Sequence, residues 1–157
     1  MLTLDETIEM LLNLNQNFPR KDLDMKVGLY IETKMFNFYK NVHGQDIAEM
    51  VYNTLKKYDL ETVEKASNKL PIIIECFEKE ALYRFAELSD LPLVYLMFWN
   101  NPLVTYNLTE ISQFAHGVGP HQFWLFHYNN ETWNNTAPSQ FILESHKLDL
   151  AVHPYSL

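Results

Sequence analysis

Apolar positions along the chain switch repeatedly between two spacings. Leu4, Ile8, Leu11 and Leu12 fall on one helical face, and Thr3 with Glu6 marks a capping box at its start. A short apolar run over residues 27–31 follows, and helical spacing returns at Ile47, Met50, Val51, Leu55 and Tyr58. The next run, residues 70–74, is rich in isoleucine and too continuous for a strand with one wet face. Leu82, Phe85, Ala86 and Leu88 predict another helix, and residues 91–98 a third buried strand. Asn107 with Glu110 starts a short helix through Ile111 and Phe114, and the glycine-containing segment 115–120 supplies a fourth strand. Pro138 opens a last helix near residues 141–147, and residues 148–153 form a fifth strand. Continuous apolar strands separated by amphipathic helices predict an α/β fold, a parallel sheet covered by helices.

Composition narrows the picture. The 157 residues are 47% hydrophobic and 20% charged, which is the make-up of an ordinary globular domain rather than a disordered tail. A formal charge of -8 argues against nucleic acid or an anionic membrane as the main partner, since both demand a concentrated positive surface. The one cysteine, Cys76, has no intramolecular partner for a disulfide and reads as a small buried side chain. The first residues lack the basic start and apolar run of a secretory signal. Glu75 and Asp90 interrupt the longest apolar stretches, so no segment reads as a membrane span. No feature of the sequence assigns a compartment.

In parallel α/β folds binding residues gather at the carboxyl ends of the strands. Those ends supply Glu32 and Lys34, Glu75 and Phe77, Trp99 and Asn100, Gly119, and finally His153 and Tyr155. Carboxylates suit a hard cation such as Mg²⁺ or Ca²⁺, and lysine suits phosphate. Each residue also has a plainer reading. Glu32 and Lys34 share one strand face and could form a simple ion pair at a solvated rim; Glu75 could be a solvated strand end or a helix-start carboxylate. Five histidines fall late in the chain, at 116, 121, 127, 146 and 153, without the i, i+4 spacing of a helical zinc motif. Glycosylation sequons at Asn107, Asn130 and Asn134 are weak signals in so asparagine-rich a chain, and Asn107 also reads as a helix cap.

The segment Leu29-Tyr30-Ile31-Glu32-Thr33-Lys34 resembles the Glu-x-Lys strand of glycerophosphodiester phosphodiesterases, especially the bacterial periplasmic branch. Similar colinear stretches follow at Gly44-Gln45-Asp46-Ile47, Leu55-Lys56-Lys57-Tyr58, Ile74-Glu75-Cys76-Phe77-Glu78, Ala115-His116-Gly117-Val118-Gly119-Pro120 and Val152-His153-Pro154-Tyr155-Ser156. The resemblance implies a TIM-barrel-like fold that hydrolyses glycerophosphodiesters to glycerol 3-phosphate and an alcohol, with a divalent cation, Ca²⁺ or Mg²⁺. It places a metal ligand at Glu32, a phosphate contact at Lys34, and pocket-lining, substrate-binding roles at His153 and Tyr155. Glu75 stands where relatives usually carry an uncharged polar residue, and an added carboxylate there is either a further metal ligand or a repulsion on phosphate.

The resemblance also implies what to look for elsewhere. The family's His-Arg start, its Glu-x-Asp metal pair and its second histidine belong upstream of the matched segments, and its last strand downstream of them. Residues 1–157 are therefore expected to form a single partial domain, about strands three to seven of an eight-stranded barrel, against about 250 residues for a complete one. No residue of this chain matches the catalytic histidine pair. Two readings follow: part of a working phosphodiesterase, or a catalytically inactive half-barrel that serves as a structural or interaction subunit. In either case open sheet edges call for another chain or a second copy to cover them.

Overall fold

In the computed structural model of the chain, residues 2–17, 26–98, 106–125 and 139–155 are described. The order of elements is α1 (Leu4–Asn17), β1 (Leu29–Glu32), α2 (Phe36–His43), α3 (Ile47–Lys57), α4 (Val63–Ser67), β2 (Ile72–Cys76), α5 (Lys79–Leu88), β3 (Leu93–Leu96), α6 (Leu108–Ile111), β4 (Gly117–Gly119), a 3-10 turn at Gln122–Trp124, α7 (Gln140–Lys147) and β5 (Ala151–Val152). The five strands lie side by side in sequence order, and every neighbouring pair is parallel. An order that never reverses has no topological switch point, which separates this sheet from a doubly wound one and aligns it with a barrel wall.

Alternation along the strands sorts two faces. Ile31, Ile72, Ile74, Cys76, Leu93, Tyr95 and Val118 join the core formed with the helices, among them Ile8, Ala48, Leu55, Leu82 and Phe85. Tyr30, Glu32, Ile73, Glu75, Val94, Leu96, Gly117 and Gly119 occupy the alternate positions and form the inner face. The sheet is strongly curled. The Tyr30 hydroxyl on the first strand lies 2.8 Å from His153 Nδ1, just beyond the last, whereas the outer strands of a flat five-stranded sheet would lie roughly 19 Å apart. This is an incomplete, barrel-like arc, in agreement with the fold class expected.

Most helices start where short-range chemistry puts them. The capping box forms, with Thr3 N donating to Glu6 Oε2 at 2.7 Å and Glu6 N donating to Thr3 Oγ1 at 3.2 Å. Those Thr3 bonds hold the Glu6 carboxyl below its ordinary range. Asp46, Thr62, Asn107 and Ser139 cap α3, α4, α6 and α7 with their side chains. The first strand begins two residues later than the apolar run, and the third is shorter than 91–98. The fifth strand is cut to two residues because Asp149 adopts a left-handed φ of 56° in the turn after α7. Met50 and Ala86, expected on buried helical faces, are exposed. Pro138 lies outside the described residues.

The two outer strands differ. Leu29 N and Thr33 N donate to Pro71 and Glu75 carbonyls, which turns the backbone groups of Tyr30 and Glu32 away from β2. On the other side Ala151, His153 and Tyr155 donate inward to His116, Val118 and Pro120, so Val152 and Pro154 face outward. Pro154 has no N–H to offer a further strand, and that rim is blunted.

Candidate functional site at the strand ends

The inner face ends in a cluster of charged and aromatic side chains. Glu32 closes β1, and alternation brings Lys34 back to the same side, where the two form an ion pair. The Lys34 ammonium is otherwise open, its side chain 70% exposed. Glu32 stands directly opposite Glu75 in the β1–β2 register. Burial, and then the Glu32 charge, push the Glu75 carboxyl above its ordinary range, while Lys34 pulls the other way. Glu75 is thus neither a fully solvated strand end nor a helix cap. The helix-start role belongs to Glu78, whose carboxylate accepts from Phe36 N at 2.6 Å and Asn37 N at 3.1 Å and so fixes α2 beside the ends of β1 and β2.

His153 follows β5 and meets Tyr30 from across the arc, ring centroids 5.8 Å apart. Burial and the Glu75 charge raise the Tyr30 pKa well above the usual phenol, so Tyr30 stays a neutral partner. Which atom carries the shared proton follows the histidine tautomer. The Tyr155 hydroxyl donates to the Met97 carbonyl at 2.7 Å, and its ring stands edge-on to Phe77 at 5.6 Å. Phe77 in turn stacks on Phe98 at 4.5 Å. With its hydroxyl engaged on the backbone, Tyr155 contributes a wall of the mouth.

The structure therefore brings together Glu32, Lys34 and Glu75 on one side and His153 with Tyr155 on the other. Tyr30, two residues before Glu32, joins them, and strand alternation alone places it on that face. Trp99, Asn100, His127, Asn130 and Asn134 lie outside the described residues. The Asn107 side chain caps α6, accepting from Thr109 N and Glu110 N. Cys76 is buried on the helix side, its thiol donating to the Thr33 carbonyl at 3.0 Å. His116 accepts from Leu93 N at the opposite end of the sheet.

Among the described residues no group of three or more His, Cys, Asp or Glu side chains converges as a metal cluster. The donor chemistry of the mouth fits a hard cation in part. Two carboxylates sit side by side with one ammonium to offset them, and Mg²⁺ is commonly held by one or two carboxylates together with water and phosphate oxygens. A concavity of about 710 Å³ lies elsewhere, on the outer layer between α6 and α7, lined by Tyr106, Trp124, Phe141 and Lys147. Its Tyr106 hydroxyl accepts from Phe98 N at 2.7 Å, and its charged lining is Glu144 and Lys147, without the paired carboxylates of the strand ends.

No protein-family model matches the chain, and no curated protein does. Among solved structures it is similar to the crystal structure named "Putative glycerophosphoryl diester phosphodiesterase" from Silicibacter pomeroyi DSS-3, at 16% identity and a TM-score of 0.64. The match covers 98% of this chain and 45% of that one, so the chain spans less than half the length of the protein it resembles. At this identity the likeness is one of fold alone: nearly the whole chain follows part of that structure.

Proposed function

We propose that this chain carries part of a cation-dependent phosphodiesterase site that accepts glycerophosphodiesters and releases glycerol 3-phosphate and an alcohol. The observation that carries the reading is the juxtaposition of Glu32, Lys34 and Glu75 at the strand ends of a barrel-like arc. Glu32 and Glu75 would hold a divalent cation, Mg²⁺ or Ca²⁺, which when bound supplies positive charge against the phosphoryl oxygens. Lys34 reaches solvent at the same rim and is placed to meet the phosphate as a flexible point charge. His153, held by Tyr30, and the Tyr155–Phe77 wall would line the opposite side and exclude water from the ester.

Hydrolysis also needs a proton acceptor and a proton donor. Among the described residues His153 brings an imidazole to the mouth, one of its nitrogens already engaged by Tyr30, and the His121 ring stands edge-on to Tyr155 at 5.5 Å. The described residues of the mouth would supply only part of that acid–base pair. A second reading, a catalytically inactive half-barrel acting as an interaction subunit, draws support from the outward backbone groups of Tyr30 and Glu32, which offer a strand edge to a partner.

Calorimetric titration with Mg²⁺ and with Ca²⁺ tests the cation arm. The expected result is one site per chain that weakens by about tenfold or more in Glu32→Gln, the usual consequence of losing a ligand or its support. Unchanged affinity in that variant would remove Glu32 from the site.

A further inference from the structure

Between Glu32 and Asp46 the chain has no acidic residue, although its formal charge is -8. This stretch contains α2, and α2 bears an apolar ridge. Met35, Phe38 and Val42 are 55%, 44% and 62% exposed, and on a helix Phe38 and Val42 stack one turn apart. The ridge is rigidly mounted. Glu78 binds the first amides of the helix, Phe36 is buried beneath it, and the Phe38 ring stands edge-on to Tyr39 at 5.5 Å and His43 at 5.3 Å. Met35 holds a left-handed φ of 56°, a conformation in which glycine or asparagine is cheaper. A bulky apolar residue held there and more than half exposed gains little from the fold itself.

The charges around the ridge select among partners. Lys34 is paired with Glu32, and Lys40 lies 3.6 Å from Asp46 and over the buried Phe36 ring. The cations are balanced locally, so this is no polybasic patch, and the acidic protein as a whole would be repelled by an anionic bilayer. A stable contact between two copies needs about 800 Å² from each partner, more than three side chains provide. A few rigid apolar side chains flanked by paired cations and by the Glu78 and Glu80 carboxylates, hence with no excess positive charge, suit shallow insertion at a zwitterionic rather than an anionic lipid surface.

We propose that α2 is an interfacial ridge that seats the strand-end mouth on a zwitterionic phospholipid surface such as phosphatidylcholine. This goes beyond the phosphodiesterase reading and stands apart from it in test, because binding to vesicles requires no turnover and no metal.

The experiment is co-sedimentation of the chain with phosphatidylcholine vesicles in the presence of a chelator. It compares wild type, the double variant Phe38→Ser/Val42→Ser, and Val63→Ser as an exposed apolar control on α4. The expected result is binding by wild type and the control, and a loss of about tenfold or more in the double variant. Adding phosphatidylserine should weaken wild-type binding. Should the double variant lose its far-ultraviolet circular dichroism, Val42→Ser alone, at the most exposed position, should still reduce binding. No wild-type binding, equal binding by the ridge variants, or tighter binding to anionic vesicles overturns the proposal. So does a dimer on size exclusion that the ridge variants convert to monomer, since that would make the ridge a contact between copies.

Discussion

Removing the Glu78 carboxylate should loosen α2 from the strand ends. Glu78 lies beyond β2, yet its two oxygens accept from Phe36 N at 2.6 Å and Asn37 N at 3.1 Å, the first amides of a helix that its own N-cap residue, Met35, leaves without a side-chain bond. Helix-capping side chains contribute about 0.5–2 kcal/mol, and hydrogen bonds to a charged group about 1.5–3 kcal/mol. Both bonds are only part-buried, which favours the lower part of those ranges, so Glu78→Ala should cost about 2 kcal/mol. In Glu78→Gln one acceptor oxygen remains and the charge is lost, and about 1 kcal/mol is expected. Urea denaturation gives the global change, and native-state hydrogen exchange at Phe36 and Asn37 gives the local one. Opening of α2 alone would appear as faster exchange at these two amides with a smaller change in the urea midpoint. If exchange there is unaltered and Glu78→Ala lies within about 0.5 kcal/mol of wild type, the cross-element cap does not hold the helix.

The Glu75 carboxyl is raised in the fold, so over a window from the ordinary carboxylate range up to that raised value the native chain binds more protons than the unfolded one. Wild-type stability therefore falls as pH rises through this window, and Glu75→Gln escapes the loss. In chelator, the advantage of the variant in urea midpoint should grow from acid to neutral pH; a constant difference would show that Glu75 is not strained by its neighbours. A methyl group at Gly117 would stand 2.9 Å from the Ala151 carbonyl oxygen, 3.3 Å from its Cβ and 3.4 Å from Val94 Cγ2. Gly117→Ala should thus force β5 outward at a cost of about 1–3 kcal/mol in urea unfolding, and a neutral result would mean the arc has slack. Burial pushes the Cys76 thiol up, so a thiol reagent should find almost no reactive group in the native chain and one equivalent after unfolding; fast native labelling would contradict the core placement.

How much of this could be read in the sequence varied with the physics of each element. The isoleucine run of β2 and the Thr3–Glu6 box were legible because their causes are local: side-chain branching and a bond across three residues. So was the gathering of Glu32, Lys34, Glu75 and His153, since parallel strands in sequence order put their carboxyl ends at one rim. The α2 helix was not legible. Its cap comes from Glu78, some forty residues on, and Met35 at its start offers no side-chain bond, so no local signal marks where it begins. The Tyr30–His153 contact was hidden for a different reason, because it arises from the curl of the whole sheet and no local spacing reports it. The role of Glu75 needed register: only the pairing with Glu32 explains why burial and like charge act on it together.

The central claim is that Glu32, Glu75 and Lys34 act jointly on a cation and a phosphate. Binding of sn-glycerol 3-phosphate to the chain, followed by calorimetry with and without Mg²⁺ or Ca²⁺, tests it without depending on turnover. The account predicts that the divalent cation strengthens phosphate binding, that Glu32→Gln abolishes this enhancement, and that Lys34→Met weakens binding with or without the cation. Binding that ignores the cation, or that survives both substitutions unchanged, would contradict the account.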